Sequence, residues 1–307
     1  MQSLNREERK TLRTIQAHIR ESTRARQAIV EQLGTVDVYF HPSNPDPYLN
    51  CATPHKGVAW VRRDDLYSAF TGLERLGRVP RLVFQDALFP YAFQQQLALM
   101  GLTLEEQRVI MVYRPLYGPD LPNETPRDRL PAEFDYAITA KVATTPAELG
   151  AWQRVFKAGY YNTETLTVNQ AEVKPLVEFA QRGEKVFVMA SYQDTPLGTA
   201  QICLREESAE IEAVVTAPLW HGMGLETALI TTAVRATLEH KRDIIFTIAP
   251  EDSTTHLYRM LGFVDLTHVM TFWQAEEYSH TLPTAETAQN NTAQTAQDLT
   301  STWEGAI

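Results

Sequence analysis

Apolar residues recur at helical spacing along the N-terminal stretch, at Leu12, Ile15, Ile19, Ile29 and Leu33, with Arg, Glu and Gln between them. Neither Pro nor Gly interrupts Ser3 to Leu33, so the pattern predicts one long amphipathic helix ended by Gly34. Interleaved Glu7, Glu8, Glu21 and Glu31 make its arginines a solvated face rather than a basic patch. The period then drops to two at Val36-Asp37-Val38-Tyr39-Phe40, which predicts a strand, and His41 to Pro47 is a loop stiffened by prolines. A helix from Asp65 to Leu76, a strand from Arg81 to Gln85, a helix from Tyr91 to Met100 closed at Gly101, and a strand from Arg108 to Tyr113 follow.

Tyr117 to Arg129 is rich in Pro, Asp and Asn and reads as a linker. Beyond it the pattern predicts a strand from Phe134 to Val142 and then a helix to about Ala158, opened by Thr145-Pro146 with Glu148 as cap. A second helix covers Val168 to Gln181. Strands Lys185 to Ser191, Leu197 to Leu204 and Glu210 to Thr216 follow, with turns at Asp194-Thr195-Pro196 and Glu206-Glu207-Ser208. The chain continues as helix Leu225 to Glu239, strand Ile244 to Ile248, helix Ser253 to Leu261, Gly262-Phe263, and strand Val269 to Trp273. After Tyr278 it is Thr, Ala, Gln and Asn with few apolar residues, a composition that buries too little surface to order itself.

Helix, strand, helix, strand thus occurs in the same order in both halves, which reads as a degenerate internal duplication. The halves differ at one loop. In the second, His221-Gly222-Met223-Gly224 joins a strand to a helix; paired glycines let the backbone approach a ligand and leave the first helical amides aimed at an anion such as a phosphate. In the first, Trp60-Val61-Arg62-Arg63-Asp64-Asp65 stands there, with side chains over the amides and Asp64 and Asp65 suited to cap the helix themselves. One anion site per chain is expected, in the second half.

Pro218-Leu219-Trp220-His221-Gly222-Met223-Gly224-Leu225, followed by Leu257-Tyr258-Arg259-Met260-Leu261-Gly262-Phe263, resembles the acyl-CoA loop and closing signature of the GNAT superfamily of N-acetyltransferases. The resemblance covers about the last half of the chain and implies an α/β (α+β) fold of two GNAT-like domains, each a mixed, mostly antiparallel sheet flanked by helices. It places a helix at 1–33 packed on a degenerate domain at 34–118, a linker at 119–132, an acetyl-CoA-binding domain at 133–278 and a tail at 279–307. It implies that Gly222, Met223, Gly224, Leu225, Glu226 and Thr227 offer amides to the pyrophosphate of acetyl-CoA, and that Val214, Val215 and Thr216 pair with the pantetheine arm. Tyr258 is then the acid for the leaving thiolate. Glu212 is the candidate base, with Glu210 as alternative. His221 stands where the family usually has Arg or Gln, Glu226 where it has Gly or Ala, and Glu251 where Asn is common. His221 and Glu226 motivate the rival reading, a catalytically inactive CoA-binding or interaction module.

Composition narrows the partners. A formal charge of -10 argues against nucleic acid or an anionic membrane surface and favours an amine, as a small molecule or a peptide. Cys51 and Cys203 lie far apart with no His cluster near them, so neither a disulfide framework nor a metal site is expected, and a reducing cytoplasm is the expected compartment. The acceptor and the oligomeric state, a homodimer included, are left open by the sequence.

Overall fold

The computed structural model describes residues 4–114, 137–162, 167–251 and 253–274. The expected linker at 119–132, the tail at 279–307 and the strand start at Phe134 lie outside them. The described chain groups into two compact units, one of residues up to 9, 16–108 and 267 onward, the other of 10–15 and 109–266.

In the first unit, helix α1 (Arg6–Ala25) opens on a capping box: Asn5 accepts from the Glu8 amide, and the Glu8 carboxylate accepts from the Asn5 amide. It stops well short of the expected Leu33. Gln27 takes a φ of 65°, and residues 29–33 form strand β1 (Ile29–Leu33), antiparallel to β2 (Val36–Phe40) with Leu33 opposite Val36. Gly34, at φ 57°, therefore turns a hairpin instead of ending a helix, and the β-branched Ile29 and Val30 gain ladder bonds. Strand β3 (Cys51–Pro54), which the periodicity did not single out, helix α2 (Arg63–Arg75), strand β4 (Arg81–Gln85), helix α3 (Tyr91–Leu99) and strand β5 (Thr103–Tyr113) follow. The sheet order is β1-β2-β3-β4-β11, with residues 269–273 of β11 (Phe263–Trp273) antiparallel to β4 and β3 parallel to β4. Leu66, Phe70 and Leu73 of α2 pack in one core with Phe84, Phe89, Phe93 and Phe272.

The second unit contains β6 (Ile138–Ala143), α4 (Pro146–Tyr160), α5 (Gln170–Gln181), β7 (Lys185–Tyr192), β8 (Thr195–Leu204), β9 (Ser208–Thr216), α6 (Leu225–Glu239), β10 (Ile244–Pro250) and α7 (Ser253–Met260). Its strand order is β5-β10-β9-β8-β7-β6; β6 through β9 are antiparallel, and β9 and β10 are parallel. The β7–β8 turn is tighter than expected: Gln193 and Asp194 hold it at φ 46° and 65°, and Thr195 and Pro196 already belong to β8. On one face of this sheet α6 buries Leu225, Ala228, Leu229 and Ala233 against Val188, Ile202 and Ile211. On the other lies α4, whose Trp152 stacks its edge on Phe187 and donates its indole N–H to the Ala200 carbonyl at 3.0 Å.

Both halves of the chain carry the same succession. A strand, a helix, a parallel neighbouring strand, a helix and a strand appear as β3-α2-β4-α3-β5 and again as β9-α6-β10-α7-β11. The sheets are mixed and mostly antiparallel, as the sequence resemblance implied.

Candidate active site

The site begins with one extra residue in β9. Thr199 of β8 pairs with Val215, but Gln201 pairs with Glu212, so three steps along β9 match two along β8. Ala213 takes up the excess as a bulge at φ 52°, a left-handed conformation that costs an L residue roughly 1–2 kcal/mol. The parallel ladder between β9 and β10 runs only from Ser208–Ile244 to Glu210–Phe246. Beyond it, residues 211–216 of β9 and 247–250 of β10 diverge, while β9 stays bonded to β8 as far as Thr216. The backbone of Val214, Val215 and Thr216 on the β10 side is thereby left outside the sheet's own ladder, the condition for pairing with an extended guest.

Helix α6 starts beside this opening. Gly222 and Gly224 take φ of 75° and 88°, and Gly224 is the N-cap residue without a side-chain cap bond. The first intrahelical bond runs from the Ala228 amide to the Gly224 carbonyl, so the amides of Leu225, Glu226 and Thr227 precede the helical ladder. A methyl group built at Gly222 meets no atom within 4 Å, so the loop faces open space. Gly159 of α4 closes the other side: a methyl there would lie 2.6 Å from the Thr216 carbonyl oxygen and closer still to Val215 Cγ1. The missing side chain brings helix and strand into contact at the end of β9.

Two side chains flagged in the loop meet. The Thr216 hydroxyl lies 2.7 Å from His221 Nδ1 and 2.9 Å from Glu226 Oε1, and that nitrogen and that oxygen are 3.5 Å apart. The Glu226 carboxylate is thus tied to the strand rather than left loose in the first turn. Glu212 is half-buried and accepts from Gln201 Nε2 at 2.5 Å; Gln201 in turn pairs with Phe187, which puts all three on the α4 face of the sheet. Glu210 shares that face by alternation.

Tyr258 is buried in the α6-side core, edge-on to Phe263 at 5.1 Å. Burial pushes its phenol up to about 12, against a smaller opposing effect of a hydrogen bond from Thr247, the first β10 residue past the divergence. An ordinary tyrosine phenol titrates near 10; the structure makes this a weaker acid, protonated throughout the neutral range. His256, on the same helix, is exposed, and so is Glu251 at the end of β10.

The corresponding place in the first unit is built differently. Arg62 is the N-cap of α2 with no side-chain cap bond, so neither Asp64 nor Asp65 caps the helix as expected. Asp65 instead accepts from the Thr35 amide and hydroxyl, both at 2.7 Å, and from Arg62 Nε at 2.9 Å. These donors hold its carboxyl below the usual carboxylate range, the Thr35 amide being the largest cause.

Residues 149–263 match the family model described as "Acetyltransferase (GNAT) family". Residues 149–263 are a GNAT domain. A search of curated proteins found no match. Among solved structures, the chain is similar to a GCN5-related N-acetyltransferase from Kribbella flavida at 15% identity, with 91% of this chain and 100% of that one covered and a TM-score of 0.63. It is similar to a tandem GNAT protein from the clavulanic acid biosynthesis pathway at 14% identity, 77% of each chain and a TM-score of 0.52. A GCN5-related N-acetyltransferase from Sphaerobacter thermophilus matches at 13% identity, 79% of this chain and 81% of that one, with a TM-score of 0.55. At these identities the likeness carries the fold. Its coverage extends well beyond residues 149–263, so the likeness of fold takes in the first unit as well.

Around the GNAT domain's loop the structure brings together Val214, Val215, Thr216, His221, Gly222, Met223, Gly224, Leu225, Glu226 and Thr227. Sequence reasoning missed Gln201, Gly159, Thr247 and the bulge at Ala213. Gly159, a glycine inside a helical pattern, was the one legible signal among them. Among the described residues no group of His, Cys, Asp and Glu is placed to hold a metal, both cysteines are free and buried, and no helix is long and apolar enough to cross a membrane.

Proposed function

We propose that the protein transfers an acetyl group from acetyl-CoA directly to a primary amine. The observation that carries this reading is the divergence of β9 from β10 beside a helix start opened by Gly222 and Gly224. An unladdered strand edge and a set of unpaired amides adjoin there, matching an amide-bearing arm joined to a pyrophosphate. The thioester of acetyl-CoA supplies the activated acetyl group.

The chain's own residues have the following parts. The amides from Gly222 to Thr227 hold the pyrophosphate, and Val214 to Thr216 present backbone groups to the pantetheine and the thioester carbonyl. Glu212, with one oxygen fixed by Gln201, keeps the other for the proton of the attacking amine, directly or through water. Glu210 is the alternative. Tyr258 accepts from Thr247 and turns its own proton toward the departing sulfur; with its phenol at about 12, it donates a hydrogen bond more readily than it gives up the proton. No side chain in this set is placed as a nucleophile, so transfer is direct.

Calorimetric titration with acetyl-CoA, followed by thiol-release assays over a panel of amines, tests the reading. Micromolar binding and amine-dependent thiol release are expected. Failure to bind acetyl-CoA would refute it. Tyr258→Phe should lower turnover by roughly tenfold, below the ~10²–10⁴ range of full general acid catalysis because the phenol is a weak acid here, with acetyl-CoA affinity unchanged. Normal turnover in the Phe variant would make Tyr258 structural.

A further inference from the structure

His221 and Glu226 of the loop meet on a third group, the buried Thr216 hydroxyl. A hydroxyl has one proton to give. The Glu226 carboxylate, which only accepts, takes it at 2.9 Å. His221 Nδ1, at 2.7 Å from the same oxygen, must then be the donor. The proton of the neutral imidazole therefore sits on Nδ1, and Nε2, on a ring whose side chain is 66% exposed beside Gly222, carries a lone pair.

We propose that Thr216 and Glu226 are positioning residues that fix this tautomer, so that His221 becomes a donor to a phosphate oxygen only when protonated. The proposal rests on the acetyl-CoA reading for its ligand. With Nδ1 committed to Thr216, neutral His221 turns a lone pair toward a pyrophosphate in the loop, which repels it. Protonation adds an N–H at Nε2 and a positive charge, and the ring then attracts the anion while offsetting Glu226. Among the described residues, Glu226 of α6 is the charged group in ion-pair reach of the ring, β9 contributes the neutral Thr216, and residues 218–220 contribute no titratable group. The arrangement sets a conditional charge beside the loop. Coenzyme A should accordingly be held more tightly in mildly acidic solution.

Two measurements test this. In the free protein at about pH 8, where an ordinary imidazole is neutral, the nitrogen chemical shifts of His221 should report a protonated Nδ1. Thr216→Val should move the proton to Nε2, and Thr216→Ser should restore the wild-type pattern. A wild-type Nε2–H tautomer would overturn the proposal whatever the ligand. The second measurement is affinity for coenzyme A and for pantetheine, which lacks the pyrophosphate, between about pH 5.5 and pH 8. Coenzyme A affinity should fall about three- to tenfold more in the wild type than in His221→Gln, a size typical of one exposed charge-assisted contact, and pantetheine affinity should show no such difference. Equal pH dependence in wild type and His221→Gln would overturn the phosphate role. Absence of coenzyme A binding at every pH would remove that role together with the acetyl-CoA reading, while the tautomer would still decide the Thr216 relay.

Discussion

Gly159 is where a single methyl group should do the most damage. A Cβ there would sit 2.6 Å from the Thr216 carbonyl oxygen, nearly an ångström inside ordinary contact, and the Val215 methyl is nearer still. The Val215 side chain can rotate; the carbonyl cannot. Gly159→Ala must therefore push the C-terminal turn of α4 off the end of β9. Overpacking of this kind costs about 1–3 kcal/mol, and a rigid backbone partner argues for the upper end. Alanine's helix propensity returns about 1 kcal/mol, leaving a net loss near ~2 kcal/mol. For a chain of this size that lowers the melting temperature by roughly 4–8 °C. The strand end that moves is the one proposed to hold the pantetheine arm, so acetyl-CoA affinity should fall by about tenfold, the equivalent of ~1.4 kcal/mol. Gly150, on the same helix, is the control: its added methyl would meet only Val173 Cγ2, at 3.7 Å, and Gly150→Ala should be neutral or stabilising by up to about 1 kcal/mol. Scanning calorimetry and titration of both variants decide the matter. If Gly159→Ala melts with the wild type and binds equally well, the close approach of α4 to β9 has no role in holding the site.

Three further outcomes follow from the same geometry. Gly224→Val places a β-branched residue at φ 88° on the face proposed for the pyrophosphate, so acetyl-CoA binding should be lost, with a stability cost of about 1–3 kcal/mol for the strained backbone; unchanged affinity in a folded variant refutes the placement. Acetyl-CoA should bind once per chain, because Arg62 to Asp65 stand at the start of α2 where the second unit has its paired glycines, and a calorimetric stoichiometry near two would contradict this. Tyr258 is neutral in the fold up to about 12 but ionises near 10 when exposed, so the stability it adds is complete below about pH 10 and lost as the pH rises through 12; denaturant midpoints across that range should fall more steeply for wild type than for Tyr258→Phe, and parallel curves would show that the phenol is not held neutral by the fold.

What the sequence revealed depended on punctuation. Helix α6 runs from Leu225 to Glu239 as read, because Gly224 and the preceding Pro218 mark its start, and the Thr145-to-Glu148 capping box located α4 for the same reason. Residues 26–33 carry no such mark. The break there is made by Gln27 in a left-handed conformation, a residue type that announces nothing, and so Ile29 to Leu33 passed for helix. The loop glycines were legible, since only their backbone freedom matters. The partners of the site's side chains were not: Gln201 reaches Glu212 across two strands, and Thr216 meets His221 and Glu226 from the end of a third element. Tyr258 could be named from its motif, but its acidity is set by burial, which a motif does not encode.

The bulge at Ala213 makes the site a matter of counting. Strand alternation would put Glu212 and Val214 on one side of β9; the extra residue resets it, so that Glu212 and Val215 face α4 together and Val214 packs toward α6. Each side chain downstream of residue 213 owes its direction to that insertion and not to its own identity. Conservative replacements along β9 leave the parity intact. Straightening the bulge into an unbroken ladder with no residue lost would reverse it at a stroke, turning Val214 toward α4 and carrying Thr216 away from both His221 and Glu226, whereas deleting Ala213 would leave Glu212, Val214, Val215 and Thr216 on their present faces. The faces of the strand are therefore set by its register and not by residue identity, and a variant paired in a shifted register would keep the composition of the site without its arrangement.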